Sequence, residues 1–189
     1  CRFMLTEEAH HMFVGETGVG RVVKRTLEVM KQLGTDDPAK LRAHGAVDLP
    51  LLQKYLNFWC SSSLDLFGSE ISSNAAASFA SGMKGRPDES GYEDHVLRDV
   101  ALDLDTPEGL QDVPMRNALN EVMRVSYLRD CETGLKRWNR GIERARHDFR
   151  LTLPSSRFRR SIGSWAGLPV DPQGKLLGKE EYARRLHEW

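Results

Sequence analysis

Apolar residues recur at intervals of three and four along most of this chain, the spacing that gives an α-helix one buried face. In the first 34 residues or so, Val19, Val23, Leu27, Met30 and Leu33 keep that step while Lys24, Arg25 and Lys31 fall off it, and Gly34 offers a stop. Thr35 to Val47 reads as a loop, with turn chemistry at Asp36-Asp37-Pro38 and room for a short helical turn. Asp48 is the expected N-cap of the next helix, with Pro50 tolerated in its first turn. The apolar line there runs through Leu51, Tyr55 and Phe58, then Ser62, Asp65 and Ser69. From Ile71 the residues turn small and polar, which suits close helix packing, as far as Gly82 to Gly85. Arg86 to Asp105 mixes Pro87, Gly91 and many acids with scattered apolar residues. The most regular stripe follows, from about Val113 to Arg146, where Leu128, Cys131, Leu135, Trp138 and Ile142 step together and Glu132, Lys136, Arg137 and Arg140 lie beside it. After Phe149 the pattern is irregular, with an extended Leu151-Thr152-Leu153-Pro154, a turn at Asp171-Pro172-Gln173-Gly174 and a last short helix from Lys179. The expected fold is mainly α: one helical domain over residues 1–148, and an irregular extension of it over 149–189.

A chain of 189 residues is long enough for a single core. Lys+Arg and Asp+Glu both number 27, so nothing in the charge points to nucleic acid or a bilayer surface. No apolar run approaches the roughly 20 residues needed to span a membrane. The cysteines Cys1, Cys60 and Cys131 are scattered, without paired metal spacing, which suits reduced thiols and a cytoplasmic protein. The chain opens on Cys rather than Met and is helix-like from the start, so we expect it to be a fragment of a longer protein.

Three places carry candidate chemistry. Glu8 and His11 stand three apart and leave one face of the first helix, followed on the same line by Gly15, Gly18 and Val22. A carboxylate and an imidazole at this spacing form the half-site of a carboxylate-bridged di-iron centre in a helical bundle. The glycines, each costing about 1 kcal/mol in a helix, are explained if a neighbour comes close to the backbone. An exposed polar turn at the start of an ordinary helix is the alternative. Asp65 sits on the face of Tyr55 and Phe58, flanked by Leu64, Leu66 and Phe67, so it must be paired, protonated or on a metal, unless the helix bends it to solvent at Gly68. His95 follows Glu93 and Asp94, and reaches a metal only if its helix carries a bulge, because Tyr92 stands three before it. An acidic loop with an isolated histidine accounts for it equally. Mixed carboxylate and imidazole donors suit iron that activates dioxygen better than the closed sets of zinc sites.

The stretch Thr6-Glu7-Glu8-Ala9-His10-His11-Met12-Phe13-Val14-Gly15-Glu16-Thr17-Gly18-Val19 resembles the oxygenase components of benzoyl-CoA 2,3-epoxidases. Leu64-Asp65-Leu66-Phe67-Gly68-Ser69-Glu70, Asp130-Cys131-Glu132 with Gly134, Arg137-Trp138-Asn139, and Arg160-Ser161-Ile162-Gly163 resemble them in the same order. The resemblance implies a ferritin-like di-iron bundle of aerobic benzoate breakdown that epoxidises the ring of benzoyl-CoA with dioxygen. Electrons would come from a separate NADPH-dependent flavin and iron–sulfur reductase. Carried over, Glu8 would bridge two iron ions, His11 and His95 would each hold one, and Asp65 would be the carboxylate of the second half-site. Asp94 or Glu93 would supply the remaining acid, and Glu8 and Asp65 would be the residues at the reacting centre. A further ligand belongs to a helix ahead of residue 1, so a fragment would bind two irons poorly and be inactive alone. Phe13, Val14, Leu66 and Phe67 would line a dry pocket, and Arg157, Arg159 and Arg160 would meet the CoA phosphates. Two other readings are a ferritin-like di-iron oxygenase for another acyl-CoA such as phenylacetyl-CoA, and a metal-free helical interaction module.

Overall fold

The computed structural model describes residues 2–81 and 101–189. Its elements, in chain order, are α1 (Arg2–Leu33), α2 (Pro38–Ala43), α3 (Leu49–Asp65), α4 (Ser73–Ala80), β1 (Ala101–Thr106), β2 (Gly109–Pro114), α5 (Leu119–Arg144) and α6 (Lys179–Arg185). The chain is mainly α, with an irregular C-terminal stretch. No helix among the described residues is long and apolar enough to cross a membrane.

Two compact units divide it. The first comprises residues 1–56 and 131–153, the second residues 57–130 and 154–189. The irregular stretch expected over 149–189 is divided between them, residues 149–153 in the first and 154–189 in the second.

In the first unit the stripe read from α1 is the buried one. Val23 of α1 packs with Leu49 and Leu52 of α3, Ile142 of α5 and Leu151, and Val19, Leu27, Leu135 and Trp138 close around them. A smaller cluster joins Val29 to Leu41 and Ala46. α1 stops where expected: Gly34 takes φ +64, open to a residue without Cβ, and its N–H donates to the Met30 carbonyl at 2.8 Å. Thr26 is buried at 0% exposure, and its hydroxyl donates to the carbonyls of Val22 and Val47. The extended segment after α5 is held by two side-chain amides. Asn139 Nδ2 donates to the Leu151 carbonyl at 2.8 Å and its Oδ1 accepts from the Leu151 N–H at 2.9 Å. Gln53 does the same for Thr152, at 2.9 and 2.8 Å. Each amide stands in for a neighbouring β-strand.

Asp48 caps α3 as its sequence implies, accepting from the Leu51 N–H at 2.9 Å and from Arg42 Nε at 2.8 Å. Burial pushes its carboxyl up, but the Arg42 hydrogen bond, the Leu51 amide and the Arg42 charge outweigh burial and hold it below the ordinary 3.8. A depressed native value means that the stabilisation is complete above the unfolded value and is withdrawn as pH falls through the native one. Asp48→Ala should therefore lower stability by about 1–2 kcal/mol near neutrality. Urea midpoints should show that gap narrowing only in acid, below the ordinary carboxylate value; a gap that widens in acid would contradict the capping account.

The buried face of α3 differs from the expected line. Leu49, Leu52, Asn57, Ser61 and Leu64 are buried, whereas Tyr55 and Phe58 stand 53% and 43% exposed. Hydrophobicity alone misplaced the stripe because polar groups on the inner face are satisfied: Ser61 Oγ donates to the Asn57 carbonyl at 2.6 Å, and Asn57 Nδ2 to the Trp189 carbonyl at 3.3 Å.

In the second unit, Val113 and Pro114, expected to open the long helix, instead end a hairpin that begins at Ala101 in the stretch read as irregular. β1 and β2 pair antiparallel from Ala101↔Pro114 to Thr106↔Gly109, and α5 begins only at Leu119. Leu102 and Leu104 alternate with Asp103 and Asp105, placing Leu104 and Val113 against Ala118 while the acids face out. Trp165 anchors the hairpin, its indole N–H donating to the Asp105 carbonyl at 3.1 Å.

Candidate metal half-site and a buried charge cluster

Glu8 and His11 share a face of α1, as one helical turn requires. His11 Nδ1 lies 3.9 Å from Glu8 Oε2, with the two side chains 65% and 69% exposed. The glycines behind them are not crowded: a Cβ on Gly15 or Gly18 would meet nothing within 4 Å among the described residues. The close approach comes later on the helix, at Gly20, where a Cβ would stand 3.8 Å from the Trp138 ring. Beside it, Trp138 Nε1 donates to the Glu16 carbonyl at 3.1 Å and Arg137 pairs with Glu16 at 2.5 Å. Phe13, Val14 and Leu66, expected to line a dry pocket, are exposed, and Phe67 packs on Tyr127 with ring centroids 5.6 Å apart.

Asp65 ends α3 in the second unit, and of the states its sequence allows it adopts the paired one. Arg160 Nη1 lies 2.7 Å from Asp65 Oδ1, and the Ser161 N–H donates to Oδ2 at 3.1 Å. Arg160 is 3% exposed, so its guanidinium serves this interior rather than a surface phosphate site. Burial, with the Arg124 charge behind it, pulls that guanidinium below its ordinary value, against the pull of Asp65, Glu70 and Glu121. Arg157 pairs with Asp105 and lies over the Trp165 ring at 4.7 Å. Arg159 is exposed, 5.7 Å from the Phe58 ring centroid. Glu93, Asp94 and His95 lie outside the described residues.

Around Arg160 the structure assembles charges that periodicity does not reveal. Arg124, 1% exposed, sits on α5 and reaches the turn after α3. Its Nε donates to the Leu64 carbonyl at 3.3 Å and its Nη2 to that of Gly68, which also accepts from Arg160 Nη2 at 3.3 Å. Its Nη1 pairs with Glu121 and lies 3.8 Å from Glu70 Oε1. Glu70, 4% exposed, accepts from the Ser164 N–H at 2.9 Å. Two arginines and three acids thus pin the Phe67–Glu70 turn to α5 and to the loop following residue 160. Glu121 belongs to this interior, while Asp130, further along α5, is exposed. A recess of about 190 Å³ opens beside the cluster, lined by Glu70, Leu104, Glu121, Arg124, Arg157 and Trp165.

Chemically, the donors on α1 suit iron in kind, pairing hard carboxylate oxygen with imidazole nitrogen. They do not make a complete set. Among the described residues, no group of three or more His, Cys, Asp or Glu side chains stands together in a way that would hold a metal.

No protein-family model matches the chain. It is 49% identical, over a 194-residue alignment that takes in all of it, to the benzoyl-CoA oxygenase component B of Aromatoleum evansii. The chain spans 41% of that protein's length. Identity of this degree over all of the chain makes it similar, along its whole length, to part of a benzoyl-CoA oxygenase component B.

Proposed function

We propose that this chain is part of a cytoplasmic oxygenase component that adds an oxygen atom of dioxygen across the 2,3-positions of the benzoyl-CoA ring, forming an epoxide. Support comes from the whole-length identity to a benzoyl-CoA oxygenase component B, together with a Glu–His pair on one helix face. In this reading Glu8 and His11 hold iron from α1, Asp65 brings a carboxylate from α3, and His95 with Asp94 or Glu93 completes this chain's share. Further donors come from polypeptide that this chain does not contain. Two iron ions would supply reduction of dioxygen at sites left open by the protein donors, with electrons from a separate NADPH-dependent flavin and iron–sulfur reductase. The chain's own residues have two tasks here. Glu8 and His11 offer donors from one turn, and Arg160 with the Ser161 N–H fixes the Asp65 carboxylate in one orientation. The relative's designation as a component B fits an activity divided between proteins.

Iron analysis of the full-length protein tests the donor assignment. Glu8→Ala and His11→Ala should each lower bound iron by at least about tenfold relative to the parent, the scale of losing a ligand. Circular dichroism should be unchanged, so that what is lost is a donor and not the helix that carries it. Unaltered iron in both variants would remove α1 from the site. Turnover with the reductase on benzoyl-CoA against phenylacetyl-CoA then decides the acyl group; preference for the latter would refute the substrate named above.

A further inference from the structure

The neutrality of the whole chain conceals a division of charge. The first unit, residues 1–56 and 131–153, carries fourteen Lys and Arg against ten Asp and Glu, whereas the second carries thirteen against seventeen. Part of that excess borders a groove between α1 and α5. A recess of about 550 Å³ is lined by Gly20, Val23, Leu27, Trp138 and Gly141, and a second of about 560 Å³ continues it past Leu27 and Ala145 to Met30 and His147. Lys31 and Arg144 border both, Lys24 and Arg137 the first, and Arg146 the second. Lys24 answers Glu28 and Arg137 answers Glu16. Lys31, Arg144 and Arg146 are exposed and pair with no acid among the described residues, although Asp36 borders the far recess. Further polypeptide could not bury these three without bringing acids to them, because a cation taken out of water unpaired is costly.

We propose that this groove is the docking surface for an acidic protein, the separate electron-donating component. The inference rests on the oxygenase reading above and assigns that partner a place. An apolar lining with a basic rim complements a surface whose apolar ridge is flanked by Asp and Glu. The groove follows α1 from Glu16 to its end at Leu33, about 25 Å of helix, a length suited to a protein surface. Its near end stands five residues past His11, about 7.5 Å of helix rise, so a partner seated there lies beside the Glu8–His11 turn. The relative's designation as a component B implies a further component. A second copy fits less well, since a two-fold contact would set one basic groove against another.

Calorimetric titration of the full-length protein with its NADPH-dependent flavin and iron–sulfur reductase, at about 0.05 M and about 0.3 M salt, tests this surface. Lys31→Glu and Arg144→Glu should each weaken binding about tenfold at the lower salt, and less at the higher. Lys136→Glu makes the same change of charge on an exposed side chain outside the groove, and should weaken binding less than about twofold. The KM for benzoyl-CoA should stay at the parent value in all three. Unchanged binding in the two groove variants, or equal weakening in all three, would overturn the proposal. So would a raised KM for benzoyl-CoA with reductase binding intact, because the cations would then serve the CoA phosphates. Self-association that the two reversals abolish would overturn it as well, making the acidic second unit of another copy the occupant. Binding needs neither iron nor turnover: a protein that binds the reductase at the groove but holds no iron would refute the oxygenase reading and leave the docking surface standing.

Discussion

Arg124→Met should lower the stability of this chain by about 3–5 kcal/mol, the cost of removing one partner from a buried ionic network. The guanidinium is 1% exposed and serves Glu121, Glu70 and the carbonyls of Leu64 and Gly68 at once. Methionine fills much of the volume, so the loss arises from acceptors left without a donor, each worth about 1–3 kcal/mol when buried. Arg160 cannot take over, because it is already committed to Asp65 and the Gly68 carbonyl. Urea denaturation followed by tryptophan fluorescence gives the number, with Trp165 reporting from the same unit. Adding Glu121→Gln should recover part of the loss, since it removes the charge that Arg124 answers. A single-variant effect below about 1 kcal/mol would mean that solvent reaches the acceptors and that the cluster is not the pin described above.

Gly163→Ala is expected to cost about 2–4 kcal/mol, from two separable sources. Gly163 has φ +93, a conformation that strains any residue with a Cβ. The added methyl would also stand 2.7 Å from the carboxylate carbon of Glu70. Glu70 cannot swing aside freely, because it accepts from the Ser164 N–H and faces Arg124. Gly167→Ala separates the two sources: φ is +70 there, and a Cβ would meet nothing within 4 Å. The difference between the two variants in urea midpoint measures the Glu70 contact. Equal effects would mean that the carboxylate has room to move.

What the sequence reveals is what is encoded locally. Gly34 ends α1 and Asp48 begins α3 because stops and caps are decided within a few residues. The stripes of α1 and α5 were legible because they are apolar throughout. The hairpin carried a local signal too, the alternation Leu102-Asp103-Leu104-Asp105 before Pro107-Glu108-Gly109, but it was masked by the helical pattern that follows. The charge cluster carried none. Arg124 meets carbonyls 56 and 60 residues away and Arg160 meets an acid 95 positions earlier, separations that no periodicity spans. For the same reason, Arg157, Arg159 and Arg160 read as one basic patch although their side chains take three different partners. Asp65 is the mixed case: its need for a partner was evident from its neighbours, and the identity of that partner was not.

The strap at Leu151 and Thr152 has a bearing on how this segment can evolve. Asn139 and Gln53 each hold a main-chain N–H and carbonyl, and the Thr152 hydroxyl adds only a 3.5 Å contact to Gln53, so mutational drift can rewrite the exposed Thr152 side chain while the main-chain fastening stays intact. The fasteners themselves have little latitude. An aspartate or glutamate in either place would set oxygen against a carbonyl, and a proline in the strap would remove the hydrogen that each amide receives. Selection here acts on the clasp and leaves the ribbon free.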